Sequence, residues 1–90
     1  MSSQKYFNTV SRFDELVVGN KQARRLWQMI CVRAEKDRGF KENLSLYLFS
    51  KKYSTVFFRD TVCLPFRKKF DSENDWFNAV AFIDSASLRV

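Results

Sequence analysis

Three clusters of cationic side chains are the residues whose types and spacing could do chemistry: Lys21, Arg24 and Arg25; Lys51 and Lys52; Arg67, Lys68 and Lys69. Lysine offers a compact ammonium and arginine a planar five-donor fork, and both meet phosphate oxygens through charge-assisted hydrogen bonds. The chemistry they suggest is capture of a polyanion by its backbone. Charge distribution points the same way. Residues 1–70 carry 15 basic and 6 acidic side chains, a net of +9, while residues 71–90 carry Arg89 against Asp71, Glu73, Asp75 and Asp84, a net of −3. A polyanion would meet the first three quarters of the chain and avoid the tail. The total of +6 is within the range of about 2 to 8 that keeps a small domain soluble. Clustering, and not the total, is what speaks for nucleic acid.

Other constellations fail on composition. With two cysteines, Cys31 and Cys63, and no histidine, no complete Cys/His zinc site can be assembled, so neither a metal nor a cofactor is expected. Gly19 and Gly39 are the only glycines, which excludes a glycine-rich phosphate loop. Asp71, Glu73 and Asp75 begin like a calcium loop, but its sixth position would be Trp76 and its twelfth Phe82, where glycine and glutamate are needed. Cys63 lacks a histidine to activate it as a nucleophile. No catalytic residue is assigned. The longest nearly apolar stretches, Leu26 to Val32 and Ala79 to Ile83, fall far short of the roughly 20 residues that span a bilayer. No leader-like segment is recognised, and two cysteines are too few for a disulfide-stapled secreted fold. An intracellular, cytoplasmic protein without a membrane partner is expected.

The elements that must position the cations follow from periodicity. Ninety residues with 46% hydrophobic and 17% aromatic content suit one globular domain over 1–90. Residues 1–10, with Tyr6, Phe7 and Val10, show no clear period and read as a lead-in. Ser11 and Asp14 form a capping-box pair that predicts a short helix over 11–18, with Phe13, Leu16 and Val17 on one face. Gly19 is placed to end it in a left-handed conformation. Asn20 caps a helix over 21–37, where Ala23, Leu26, Trp27, Ile30, Cys31 and Ala34 make a broad apolar face and Gly39 is the stop. From Phe40 the apolar pattern alternates, predicting three strands across 43–67: Asn43 to Phe49, Ser54 to Arg59 and Val62 to Arg67. Pro65 assigns the third strand to an edge. Ser72 and Asp75 then cap a helix over 73–85 that carries Trp76, Phe77, Val80, Ala81 and Ile83. The expected fold is α+β, a two-layer ααβββα order in which a three-stranded antiparallel meander packs against helices.

Both faces of that meander would be apolar, so one of them is either covered or kept for a partner. Tyr47, Phe49 and Phe58, flanked by Lys51, Lys52 and Arg67, would form a platform on which bases stack. The run Tyr53 to Phe58 has no glycine and so lacks the RNA-recognition-motif signature. A buried second core or a homodimer face is the favoured reading of these three aromatics, and the same surface would serve a protein partner, as in a small inhibitor or regulator of the kind phages and plasmids encode.

The topology resembles the αβββα double-stranded RNA-binding domains, which reach RNA by shape and backbone, and it shares its coarse order with the Alu-domain proteins of the signal recognition particle. Those RNA-binding domains open their last helix with a lysine-rich motif, where this chain has the acidic run 71–75. Size and charge are also similar to the RelE-type toxin ribonucleases, in which two helices precede the strands. The leading expectation is a non-enzymatic nucleic-acid-binding domain, RNA ahead of DNA, that contacts phosphates through Lys21, Arg24, Arg25, Lys51, Lys52, Arg67, Lys68 and Lys69.

Overall fold

The computed structural model describes residues 2–90 and is built of helices, with no strand among the described residues. The predicted α+β class, with its three-stranded meander over 43–67, is therefore corrected to all-α. Helix α1 spans Ser2–Leu16, α2 Lys21–Lys36 and α3 Arg38–Phe49. A single turn, α4, covers Thr55–Phe57 and continues into a π-helical stretch, Phe58–Cys63, and a 3-10 stretch, Leu64–Lys69. Helix α5 spans Glu73–Ala86 and ends in a 3-10 turn, Ser87–Arg89.

The helices begin where side chains satisfy the free N–H groups of a first turn, each such cap contributing about 1 kcal/mol. Asn20 accepts from the Ala23 N–H at 3.0 Å, and Ser72 accepts from the Asp75 N–H at 3.1 Å. Asp37 ends α2 and caps α3 at once, accepting from the Phe40 N–H at 3.1 Å. That bond, with help from Arg33 at 3.4 Å, holds its carboxyl below the ordinary range. Gly39, expected as a stop, instead lies in the first turn of α3. Gly19 has no positive φ, so the expected left-handed termination is also corrected. The segment read as a lead-in belongs to α1 from Ser2 onward, and Ser11 lies inside that helix; Met1 is outside the described residues.

Burial explains why 43–67 winds into helical segments on either side of a loop at 50–54 and not into strands. Phe40, Leu44 and Tyr47 are buried at i, i+4 and i+7, and Phe58, Val62, Cys63 and Phe66 at i, i+4, i+5 and i+8. Both sets draw one stripe at helical spacing. Pro65 has no N–H and crowds the carbonyl four residues back. The change from π to 3-10 winding falls immediately before it, between Cys63 and Leu64. It sits in a helical segment, and not on the edge strand expected of it.

Helix α2 is the centre of the fold, packed mainly on α5 and α3. Ala23, Leu26, Trp27 and Ile30 are fully buried in it, facing Trp76, Ala79, Val80 and Ile83 of α5 across the common core. Each large apolar side chain so buried contributes about 1.5 to 3 kcal/mol. Phe13 of α1 stacks on Trp27 with ring centroids 4.6 Å apart. Trp76 donates its indole N–H to the Cys63 carbonyl at 3.0 Å, tying α5 to the π-helical turn. Trp27 Nε1 is buried without a hydrogen-bond partner. Burial raises the nearby Asp14 carboxyl above its ordinary range, and the Trp27 N–H, without reaching hydrogen-bond geometry, offsets only part of that rise. No described helix is long and apolar enough to cross a membrane.

Candidate nucleic-acid interface

All eight predicted phosphate-binding cations are exposed. The fold joins two of their three clusters. The first turns of α2 carry Lys21, Arg24 and Arg25, and the end of the 3-10 stretch carries Arg67, Lys68 and Lys69. The Arg25 guanidinium bridges them: Nη2 donates to the Lys69 carbonyl at 2.5 Å and the group lies 4.9 Å from the Phe70 ring centroid. Phe70 is buried, so the cation rests on an anchored ring. Arg67 pairs with Glu73 at 3.3 Å, both side chains half exposed. Such a pair contributes little to stability and yields readily to a stronger anion. Lys21, Arg24, Lys68 and Lys69 make no ion pair among the described residues. The patch also lies at the N-terminal end of α2, where the helix dipole adds positive potential and no acidic side chain occupies the first turn.

The third cluster lies elsewhere. Lys51, in the loop after α3, lines a groove of about 930 Å³ together with Lys5 and Arg12 of α1. Lys5 and Arg12 are not among the expected site residues: Lys5 falls in the stretch 1–10 that shows no clear period, and Arg12 in the short helix expected over 11–18, outside the three cationic clusters. Their signal was available as Lys5, Thr9 and Arg12 at i, i+4 and i+7, one face of a helix that starts at Ser2.

The expected aromatic platform depended on a sheet and is corrected with it. Phe58 is 0% exposed and Tyr47 9%, and their rings stack at 4.2 Å. Tyr47 donates its hydroxyl to Asp84 Oδ1, and Thr55 donates to Asp84 Oδ2 at 2.7 Å. Burial, and then that bond to a carboxylate, push the Tyr47 phenol well above its ordinary range. Tyr47 and Phe58 are thus core residues linking α3 to the π-helical stretch. Phe49, 36% exposed, is the one member left at the surface.

Among the described residues no three His, Cys, Asp or Glu side chains converge to hold a metal ion. Burial raises the thiol pKa of both free cysteines, that of Cys31 to about 12 and that of Cys63 well above the ordinary value. Neither has the electropositive, accessible setting of a nucleophile. No protein-family model, curated protein or solved structure matches the chain.

Proposed function

We propose that the protein binds nucleic acid by its phosphates, through Lys21, Arg24, Arg25, Arg67, Lys68 and Lys69. The observation that carries this reading is the Arg25 contact with Lys69, which turns two clusters far apart in sequence into one exposed cationic surface. Five of its six cations have no carboxylate partner among the described residues, so counterions released on binding would drive association. A reducing cytoplasmic setting belongs to the same reading, supported by the two free cysteines. The preference for RNA over DNA rested on the αβββα order and is given up with it, because a phosphate surface serves both. The ribonuclease-toxin alternative also needed strands. The protein-interaction and homodimer alternatives lose two of their three surface residues, Tyr47 and Phe58, to the core.

Fluorescence anisotropy of labelled duplex DNA, duplex RNA and single-stranded RNA, titrated at several salt concentrations, tests the proposal. Affinity should fall linearly on a log–log plot against salt. A variant with Lys21→Gln, Lys68→Gln and Lys69→Gln should bind every probe more weakly at an unchanged thermal midpoint. Equal binding by that variant would refute the assignment.

A further inference from the structure

The groove between α1, the end of α3 and α5 is a second basic surface, separate in its residues from the α2 patch. Its cations are Lys5, Arg12 and Lys51, and none of them makes an ion pair among the described residues. The one carboxylate side chain among the lining residues, Asp84, already accepts from Tyr47 through one oxygen and from Thr55 through the other. Three cations against the Asp84 carboxylate leave the lining side chains with a net positive charge, which favours an anionic occupant. A volume of about 930 Å³ lies in the range of roughly 300 to 1,000 Å³ typical of sites for small organic ligands.

Aromatic rings narrow the class of anion. Phe49 is partly exposed on the wall, and the Lys5 ammonium lies 4.8 Å from its ring centroid. Tyr53, half-buried on the same wall, is held by Phe57 with ring centroids 4.6 Å apart. Two rings within reach of the bound chain on a concave basic surface, one of them beside a cation, make the arrangement that takes the phosphates and bases of unpaired nucleotides. A duplex keeps its base faces stacked and cannot offer them to such rings.

We infer that this groove is a subsite for a short single-stranded segment, seated on Phe49 and Tyr53 with its phosphates on Lys5, Arg12 and Lys51. The inference rests on the nucleic-acid reading above and specifies the form of ligand that a second surface takes. Duplex would be held by the α2 patch, and unpaired nucleotides by the groove.

The test is an NMR titration of the ¹⁵N-labelled full chain with an oligothymidylate of about eight nucleotides, within the site sizes of single-strand binders. It is paired with anisotropy on single-stranded and duplex probes. Amide shifts at Phe49, Lys51 and Tyr53 are expected. Phe49→Ala should weaken single-strand binding about tenfold, the equivalent of one lost base stack, and leave duplex binding unchanged. Lys51→Gln, at an exposed loop position, repeats the comparison should the ring prove necessary for folding. Shifts confined to the neighbourhood of Lys21, Arg24, Lys68 and Lys69 would overturn the groove and leave the phosphate-binding proposal standing. Shifts confined to the groove are the result expected of an unpaired probe and support the inference. No shifts at low salt would overturn the groove, whereas failure of the duplex probe to bind in the anisotropy arm would overturn the α2 patch. Equal shifts in the groove with a polyglutamate peptide of the same length would also overturn the inference, since the site would then not select nucleotides.

Discussion

Arg25 of α2 and Lys69 at the end of the 3-10 stretch are 44 positions apart in sequence and joined by a 2.5 Å hydrogen bond from the guanidinium to the main-chain carbonyl. The bond uses Arg25 internally, as a clamp, and leaves the Lys69 ammonium directed at solvent. Position and charge are thus divided between the two residues. Arg25→Ala removes both the bond and the contact with Phe70 and should destabilise the protein by about 1 kcal/mol. Arg25→Lys restores the charge but not the planar fork. Urea unfolding should therefore place it near the alanine variant, and full recovery by lysine would show that the bond contributes nothing.

Salt dependence separates the basic clusters from one another. Each phosphate contact on duplex DNA contributes about 0.9 to the log–log slope, so a variant with Lys68→Gln and Lys69→Gln should flatten it by about 2. Replacing Lys51 and Lys52 should leave the duplex slope unchanged, because that loop belongs to the groove side of the molecule. Stability should stay within about 0.5 kcal/mol in both variants, as expected for exposed positions. Equal flattening by the two pairs would mean that duplex reaches both surfaces.

What could be read from the sequence depended on whether a segment offered one period or two. In α2 and α5 the buried positions fit only a helix, and Asn20 and Ser72 mark their starts with side-chain caps. Between 43 and 67 the apolar residues are so dense that strand alternation and a helical stripe both fit. Phe58, Val62, Cys63 and Phe66 decide for the helix only once their common burial is seen. The β-branched and aromatic run Thr55 to Phe58 favours strand locally, and tertiary packing overrides it. Two signals stood against a meander: the lack of a glycine at the supposed turn of Asp60 and Thr61, and a capping aspartate at Asp37. Exposure of the cations was legible because lysine and arginine seldom lose water. Their grouping was not, since it depends on the Lys69 end of a helical segment returning to the start of α2.

The two tryptophans provide a controlled comparison within the core. Both are essentially buried, but Trp76 donates to the Cys63 carbonyl and Trp27 donates to nothing. Replacement by phenylalanine removes a similar volume from each site. Trp76→Phe also strips a buried carbonyl of its partner, which costs about 1 to 3 kcal/mol beyond the packing loss. Chemical denaturation should therefore find Trp76→Phe the less stable variant by that margin. Equal stabilities would mean that water or a rearranged turn replaces the indole at Cys63.

Alkaline pH should unfold the protein by a route its buried acids define. Burial, followed by the charges of Asp14 and Glu35, raises the Cys31 thiol from 9.0 to about 12. Burial, followed by Cys31 and Glu35, raises the Tyr6 phenol from 10.0 to about 12, and Tyr47 is raised by burial and its bond to Asp84. Each group keeps its proton in the folded state at a pH where the unfolded chain has released it. The unfolded state then binds fewer protons, so stability falls as pH rises. The stabilisation from these groups is complete below about pH 9, the ordinary value for the Cys31 thiol, and is lost progressively toward pH 12. Denaturation midpoints measured from pH 7 to pH 11 should be level at first and then decline, and Cys31→Ala should delay the onset. Tyrosinate absorbance supplies an independent reading, with Tyr6 and Tyr47 ionising later in the folded chain than in urea. A midpoint that held constant through pH 11, or tyrosines that titrated together in both states, would show that these side chains are open to water.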